Sequence, residues 1–199
     1  MNQLDKIYNK NSALYSREYI NYLNKILVEI DHDSVARFID LILNCRTNGS
    51  SIYFIGNGGS AATCSHFAND LQIGTRSLDK PIKAISLTDN LAIITAIAND
   101  YGYDDVFIQQ IQMLAKPNDI VVGISASGNS SNLVKAFEYC KNNSIGTFAL
   151  VAFDGGQMLS MADDAIHIKT EPREYGPAED AHMVLDHLVM TYISKYIKD

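Results

Sequence analysis

Residues 52–60 read Ile-Tyr-Phe-Ile-Gly-Asn-Gly-Gly-Ser, and residues 120–130 read Ile-Val-Val-Gly-Ile-Ser-Ala-Ser-Gly-Asn-Ser. Each is a short apolar run that breaks into glycine and hydroxyl residues, after which a helical pattern begins, near Ala61 in the first and Asn132 in the second. An apolar strand, a tight turn and a helix start are half of a βαβ unit. Further apolar runs lie at Ile82–Leu87, Thr147–Val151 and Ala165–Ile168. Helical patterns fall between them, at Ala61–Leu71, Leu91–Ala98, Phe107–Leu114, Asn132–Cys140 and from Ala178 onward. Five strands alternating with helices predict a three-layer α/β/α, flavodoxin-like domain with a five-stranded parallel sheet.

The first 48 residues are helical in pattern instead. Tyr19, Ile20, Leu23, Ile26, Leu27 and Ile30 recur at helical spacing. The cluster Asp31-His32-Asp33-Ser34 supplies a cap, a second run follows through Val35, Phe38, Ile39, Ile42 and Leu43, and Asn48-Gly49 stops it. We read residues 1–199 as one domain in which 1–48 form a helical extension, expected to pack at an oligomer interface.

Composition narrows the function. Apolar residues make up 47% and charged residues 20%, a globular balance that excludes a disordered chain. Sixteen Lys and Arg against 23 Asp and Glu give a net charge of −7, which speaks against nucleic acid as a partner. The longest apolar runs are far too short to span a membrane, and no signal peptide pattern opens the chain, so a cytoplasmic protein is expected. Cys45, Cys64 and Cys140 form no CxxC pair, hence neither a disulfide framework nor a thiolate zinc site is suggested. Cys64 and His66, two apart on a helix, face different ways and make a poor nucleophile–base pair.

The two turns carry the chemistry. A helix N-terminus presents unpaired N–H groups and about half a positive charge. Ser125, Ser127 and Ser130 add rotatable hydroxyl donors at the carboxyl end of a strand, where α/β sheets bind ligands. No GxxxxGK[ST] or GxGxxG is present, so a small phosphorylated molecule is expected rather than a nucleotide cofactor. For acid–base work, His66 and Asp70 share a helix face at i,i+4. Glu179, His182, Asp186 and His187 fall on the last helix. Asp186 and His187 are neighbours and are expected to point in different directions. His32 and His167 read as structural.

Gly56-Asn57-Gly58-Gly59-Ser60, His66-Phe67-Ala68 with Asp70, Ala98-Asn99-Asp100-Tyr101-Gly102, Ser125-Ala126-Ser127-Gly128-Asn129-Ser130 and His187 together resemble the sugar isomerase (SIS) fold. Within it they are most similar to the phosphoheptose isomerase family, over nearly the whole chain. The resemblance implies interconversion of sedoheptulose 7-phosphate and D-glycero-D-manno-heptose 7-phosphate for bacterial lipopolysaccharide or capsule. It implies that Asn57, Gly58, Gly59, Asn99 and Asp100 meet the sugar, that Ser125, Ser127 and Ser130 hold the phosphate, and that Ala126 is also at the substrate. It puts Asp70 and Glu179 at the substrate too, makes His66, Asp70, Glu179 and His187 the ligands of a zinc ion, and implies a homotetramer with shared sites. Asp70 stands where the family usually has Glu, a carboxylate drawn back by roughly 1.5 Å. Glu179 replaces a usual Gln and Ala126 a usual Thr.

An aldose–ketose isomerisation needs a carbon base, a proton shuttle for two oxygens and stabilisation of an enediolate. Asp70 is assigned as the base and His187 as the shuttle. Along a continuous helix Glu179 and His187 lie about 12 Å apart, so joint coordination requires the helix to begin after Glu179 or long side chains to converge. Two alternatives remain: a non-catalytic phosphosugar-binding or replication-initiator-associating SIS protein, and an isomerase of a different phosphosugar.

Overall fold

The computed structural model describes residues 2–198. Helices α1 (Gln3–Ile7), α2 (Ser12–Val28) and α3 (His32–Asn48) precede the sheet. Its strands are β1 (Ser51–Gly56), β2 (Lys83–Ser86), β3 (Ile120–Ser125), β4 (Gly146–Ala152) and β5 (Asp164–Ile168). They are all parallel, in the order β2-β1-β3-β4-β5. Between them run α4 (Gly59–Asn69), α5 (Leu91–Asp100), α6 (Ile108–Leu114), α7 (Ser131–Asn142) and α8 (Gly156–Met161), and α9 (Tyr175–Tyr196) closes the chain. The chain leaves β1 toward β2 on one side and toward β3 on the other. The switch point therefore lies between the two strands whose turns are rich in glycine and serine.

Period-two alternation sorts the strand residues onto two faces. Ile52, Phe54, Val122, Ile124, Phe148 and Leu150 pack with α2, α3, α4 and α9, whereas Tyr53, Ile55, Val121, Ala149 and Val151 pack with α6, α7 and α8. Phe38 on α3 stacks on Phe148 at 4.5 Å between centroids, and Phe67 on α4 stacks on Phe54 at 5.2 Å.

The N-terminal helices divide in role. Asp31 caps α3 through the amide of Asp33, and Gly49 ends it at φ +75°. Val35, Phe38, Ile39 and Ile42 are buried against the chain's own sheet. On α2 only Ile26 is buried, and Ile20 is half-exposed. The fully buried carboxylate of Glu174 accepts from the amides of Gln3 (2.6 Å) and Leu4 (3.1 Å) and from the hydroxyl of Tyr22, which ties α1 and α2 to the start of α9. The short α1 and α8 carry no signal in the sequence, because five or six residues hold too few turns to show a period.

Candidate active site

The serine turn leaves β3 and enters α7. Gly128 sits there at φ +61°, and a Cβ on it would meet the carbonyl oxygen of Gly155 at 2.0 Å, so only glycine closes the turn. The hydroxyl of Ser125 accepts from the amide of Gly128 (3.1 Å), and that of Ser127 from the amide of Asn129 (3.3 Å). Ser130 is the N-cap of α7, yet its side chain makes no capping bond. Its hydroxyl stays free for a ligand at the positive end of a twelve-residue helix.

These residues line a cavity of about 160 Å³ with Asn57, Ser60, Ala126, Tyr175 and Glu179. The Glu179 carboxylate reaches the start of α4, where a Cβ on Gly59 would fall 2.2 Å from one of its oxygens. Burial, followed by the neighbouring Asp180 charge, raises the Glu179 pKa above the ordinary carboxylate value. Asn57 is fixed by two bonds exchanged with Asn132 (2.9 and 3.0 Å) and accepts from the hydroxyl of Tyr103 (2.9 Å). Asn99 and Asp100, bonded to each other at 2.9 Å, are exposed at the end of α5 and do not line this cavity. A larger recess of about 700 Å³ opens at the opposite ends of the strands. Its Asp119 is already occupied by the amides of Ser51 (2.8 Å) and Lys116 (2.9 Å).

The titratable groups gather two turns further along α9. His66, Asp70, Asp186 and His187 each offer one atom to a group within 4.8 Å of one another. The Nε2 atoms of His66 and His187 are 3.3 Å apart, and His66 Nε2 lies 3.6 Å from Asp70 Oδ2 and 3.9 Å from Asp186 Oδ2. Asp70 opens a π-helical turn, Asp70–Gly74, that continues α4, a deviation found often at functional sites. Its other oxygen accepts from the side chain of Asn69 (3.0 Å).

Asp186 corrects the expectation that neighbouring α9 residues must diverge. Side chains 100° apart on one helix both reach His66, because α4 packs across that helix face. Burial, then the charge of Asp70, pushes the Asp186 pKa up to about 8. Glu179 lies outside the four-residue group, since α9 is continuous from Tyr175 and separates it from His187 by about 12 Å along the axis. Asp186 is named from sequence among the acid–base residues of the last helix, whereas Tyr103, Asn132 and Tyr175 are not; of these three Tyr103 alone has a signal, lying next to the Asn99-Asp100-Tyr101-Gly102 stretch. Cys64 is fully buried and its thiol is raised well above its ordinary value by that burial, so it is no nucleophile. His167 bonds the carbonyl of Phe153 (2.9 Å), the structural role expected of it.

The family model described as the SIS domain matches residues 15–152. A phosphoheptose isomerase from Sulfurimonas denitrificans is 37% identical over 98% of this chain and 93% of its own. A probable phosphoheptose isomerase from Thermoplasma acidophilum is 33% identical over 90% of this chain and 98% of its own. Among solved structures, phosphoheptose isomerase from Neisseria gonorrhoeae superposes with a TM-score of 0.82 at 30% identity, covering 94% of this chain and 98% of that one. The Francisella tularensis enzyme gives 0.79 at 26%, covering 98% and 100%.

Proposed function

From the premise that the chain belongs to the SIS-domain phosphoheptose isomerases, we propose how its two sites divide one reaction. The protein is an aldose–ketose isomerase acting on sedoheptulose 7-phosphate. The observation that carries the division of labour is spatial. The serine cavity and the His66–Asp70–His187 group border the same helix, with Glu179 and Asp186 seven residues apart. That is about 10 Å along α9, the scale of an extended seven-carbon chain.

The phosphate binds at the α7 N-terminus, held by Ser125, Ser127, Ser130 and free first-turn amides. Asn57, Gly58 and Gly59 border the sugar. C1 and C2 then lie at the cluster. Asp70 takes the proton from C1 of the ketose, an enediolate forms, and the proton returns to C2. His187 moves the second proton between O1 and O2, and the aldose leaves. The π turn at Asp70 and the pairing of its carboxylate with Asn69 hold the base in place.

The donor set fits zinc: His66 and His187 would be its imidazole ligands, with carboxylate donors beside them. Bound there, zinc would supply Lewis-acid polarisation of the two substrate oxygens. A homotetramer is supported by α5, where Leu91 and Ile93 are exposed while Ile94 and Ile97 pack on the chain's own core. The same contact would bring Asn99 and Asp100 to a neighbouring subunit's site. Among the described residues no helix is long and apolar enough to cross a membrane, which fits the cytoplasmic location we assign.

The test is conversion of sedoheptulose 7-phosphate to the aldose, followed by NMR. Turnover by the wild-type protein is expected. None from zinc-replete protein overturns the substrate assignment and favours a binding role or another phosphosugar.

A further inference from the structure

Asn57 stands on the turn between β1 and α4 and lines the serine cavity. A side-chain amide carries two N–H donors and one oxygen with two lone pairs. Both lone pairs of Asn57 Oδ1 are taken, one by the Tyr103 hydroxyl at 2.9 Å and one by Asn132 Nδ2 at 3.0 Å. One N–H goes to Asn132 Oδ1 at 2.9 Å. What Asn57 has left for a ligand is a single N–H.

The pair with Asn132 does not decide this by itself. If both amides turned over together, each would still give one bond and take one, and Asn57 would offer the cavity a lone pair instead. A phenol hydroxyl is a better donor than acceptor, because its lone pairs are shared with the ring. Tyr103 therefore selects the arrangement with Oδ1 toward it. Its own place is fixed by the turn Tyr103–Asp105, which follows Gly102 at φ +101°. Asp104 accepts from the Ser131 hydroxyl, and Asp105 pairs with Lys135 at 2.6 Å. Both partners lie on α7, the helix that also carries Asn132, so the three side chains keep one spacing.

We infer that Tyr103 is a positioning residue that locks the Asn57 amide as a donor toward an oxygen of the sugar phosphate. This rests on the isomerase reading of the serine cavity. Tyr103 touches no substrate in this role, since its hydroxyl is spent on Asn57. Bonds made before the substrate arrives lower the ordering cost of binding it.

A double-mutant cycle on sedoheptulose 7-phosphate tests this, with Tyr103→Phe, Asn57→Ala and the pair. In the wild-type background Tyr103→Phe is expected to raise KM by roughly 5- to 20-fold and to leave kcat within about threefold. The melting temperature should hold, because Tyr103 is exposed. In the Asn57→Ala background the same change is expected to cost less than about twofold. Equal losses in both backgrounds overturn the inference and make Tyr103 a substrate contact or a packing residue. No loss in the wild-type background overturns it as well. No turnover by wild type overturns the isomerase reading, and this inference with it. A crystal structure of wild type with the substrate bound needs no variant. Asn57 Nδ2 within about 3.2 Å of a substrate oxygen, with the Tyr103 hydroxyl still on Oδ1, supports the assignment. The Tyr103 hydroxyl bonded to substrate instead overturns it.

Discussion

At position 70 a carboxylate one methylene shorter than the family's usual glutamate sits at the start of a π turn, 3.6 Å from His66. If it is the carbon base and no metal ligand, Asp70→Asn loses about 10²- to 10⁴-fold in turnover while zinc affinity stays near wild type. Parallel loss of zinc in the calorimeter would make Asp70 a ligand instead. Ser130, whose hydroxyl makes no capping bond, separates binding from stability. Ser130→Ala should raise KM by roughly 10- to 100-fold, the loss of one charge-assisted hydrogen bond. The melting temperature should not change, and a fall of several degrees would show a capping role. His182 gives a pH signature, because burial holds its pKa down to about 4 from 6.5. Between those values the unfolded chain binds a proton that the folded chain refuses, so stability falls as pH drops through the window. The contribution is on the order of 3 kcal/mol by the low end. Thermal melts of wild type and His182→Asn from pH 7 to 4 check it, and parallel curves would refute the argument.

At the scale of elements, the serine turn is closed by backbone geometry as much as by hydroxyls. Gly128 stands at φ +61° against the carbonyl of Gly155, so Gly128→Ala must open the turn between β3 and α7. The expected result is a raised KM together with a lowered melting temperature, unlike the KM-only effect at Ser130. The α3 helix is part of the core rather than a detachable extension. Phe38 has no exposed surface and stacks on Phe148. Phe38→Ala should cost about 3–5 kcal/mol in denaturant unfolding, as deletion of a buried ring does elsewhere.

For the whole molecule, the topology places both Gly-rich turns at adjacent strand ends, while α9 crosses behind them and carries groups for both sites. The outer face of α5, with Leu91 and Ile93, is an apolar surface left over. Leu91, 71% exposed, is the residue on which assembly is expected to turn. Leu91→Asp should reduce the mass in light scattering from that of a tetramer toward smaller species, with chain stability little changed. A wild-type monomer at working concentration would remove the tetramer and the shared site together.

The sequence by itself determined the five parallel strands, the helices α2 to α7 and α9 in chain order, and the residues of both turns. Those are local signals: apolar runs, glycine and serine at strand ends, and the helical period of α2, α3 and α9. It also determined that His66, Asp70 and His187 matter, through their resemblance to a family. Only the tertiary structure decided which acidic residue of α9 meets them. Residues 179 and 186 lie two turns apart on one helix, and spacing along α9 says nothing about where α4 crosses it. The crossing puts Asp186 beside His66 and Glu179 beside Gly59, because the packing of Phe67, Ala178, Ala181 and Leu185 in one core fixes the two helices against each other. A buried, unpartnered carboxylate is a property of that packing, and no pattern in the sequence announces it.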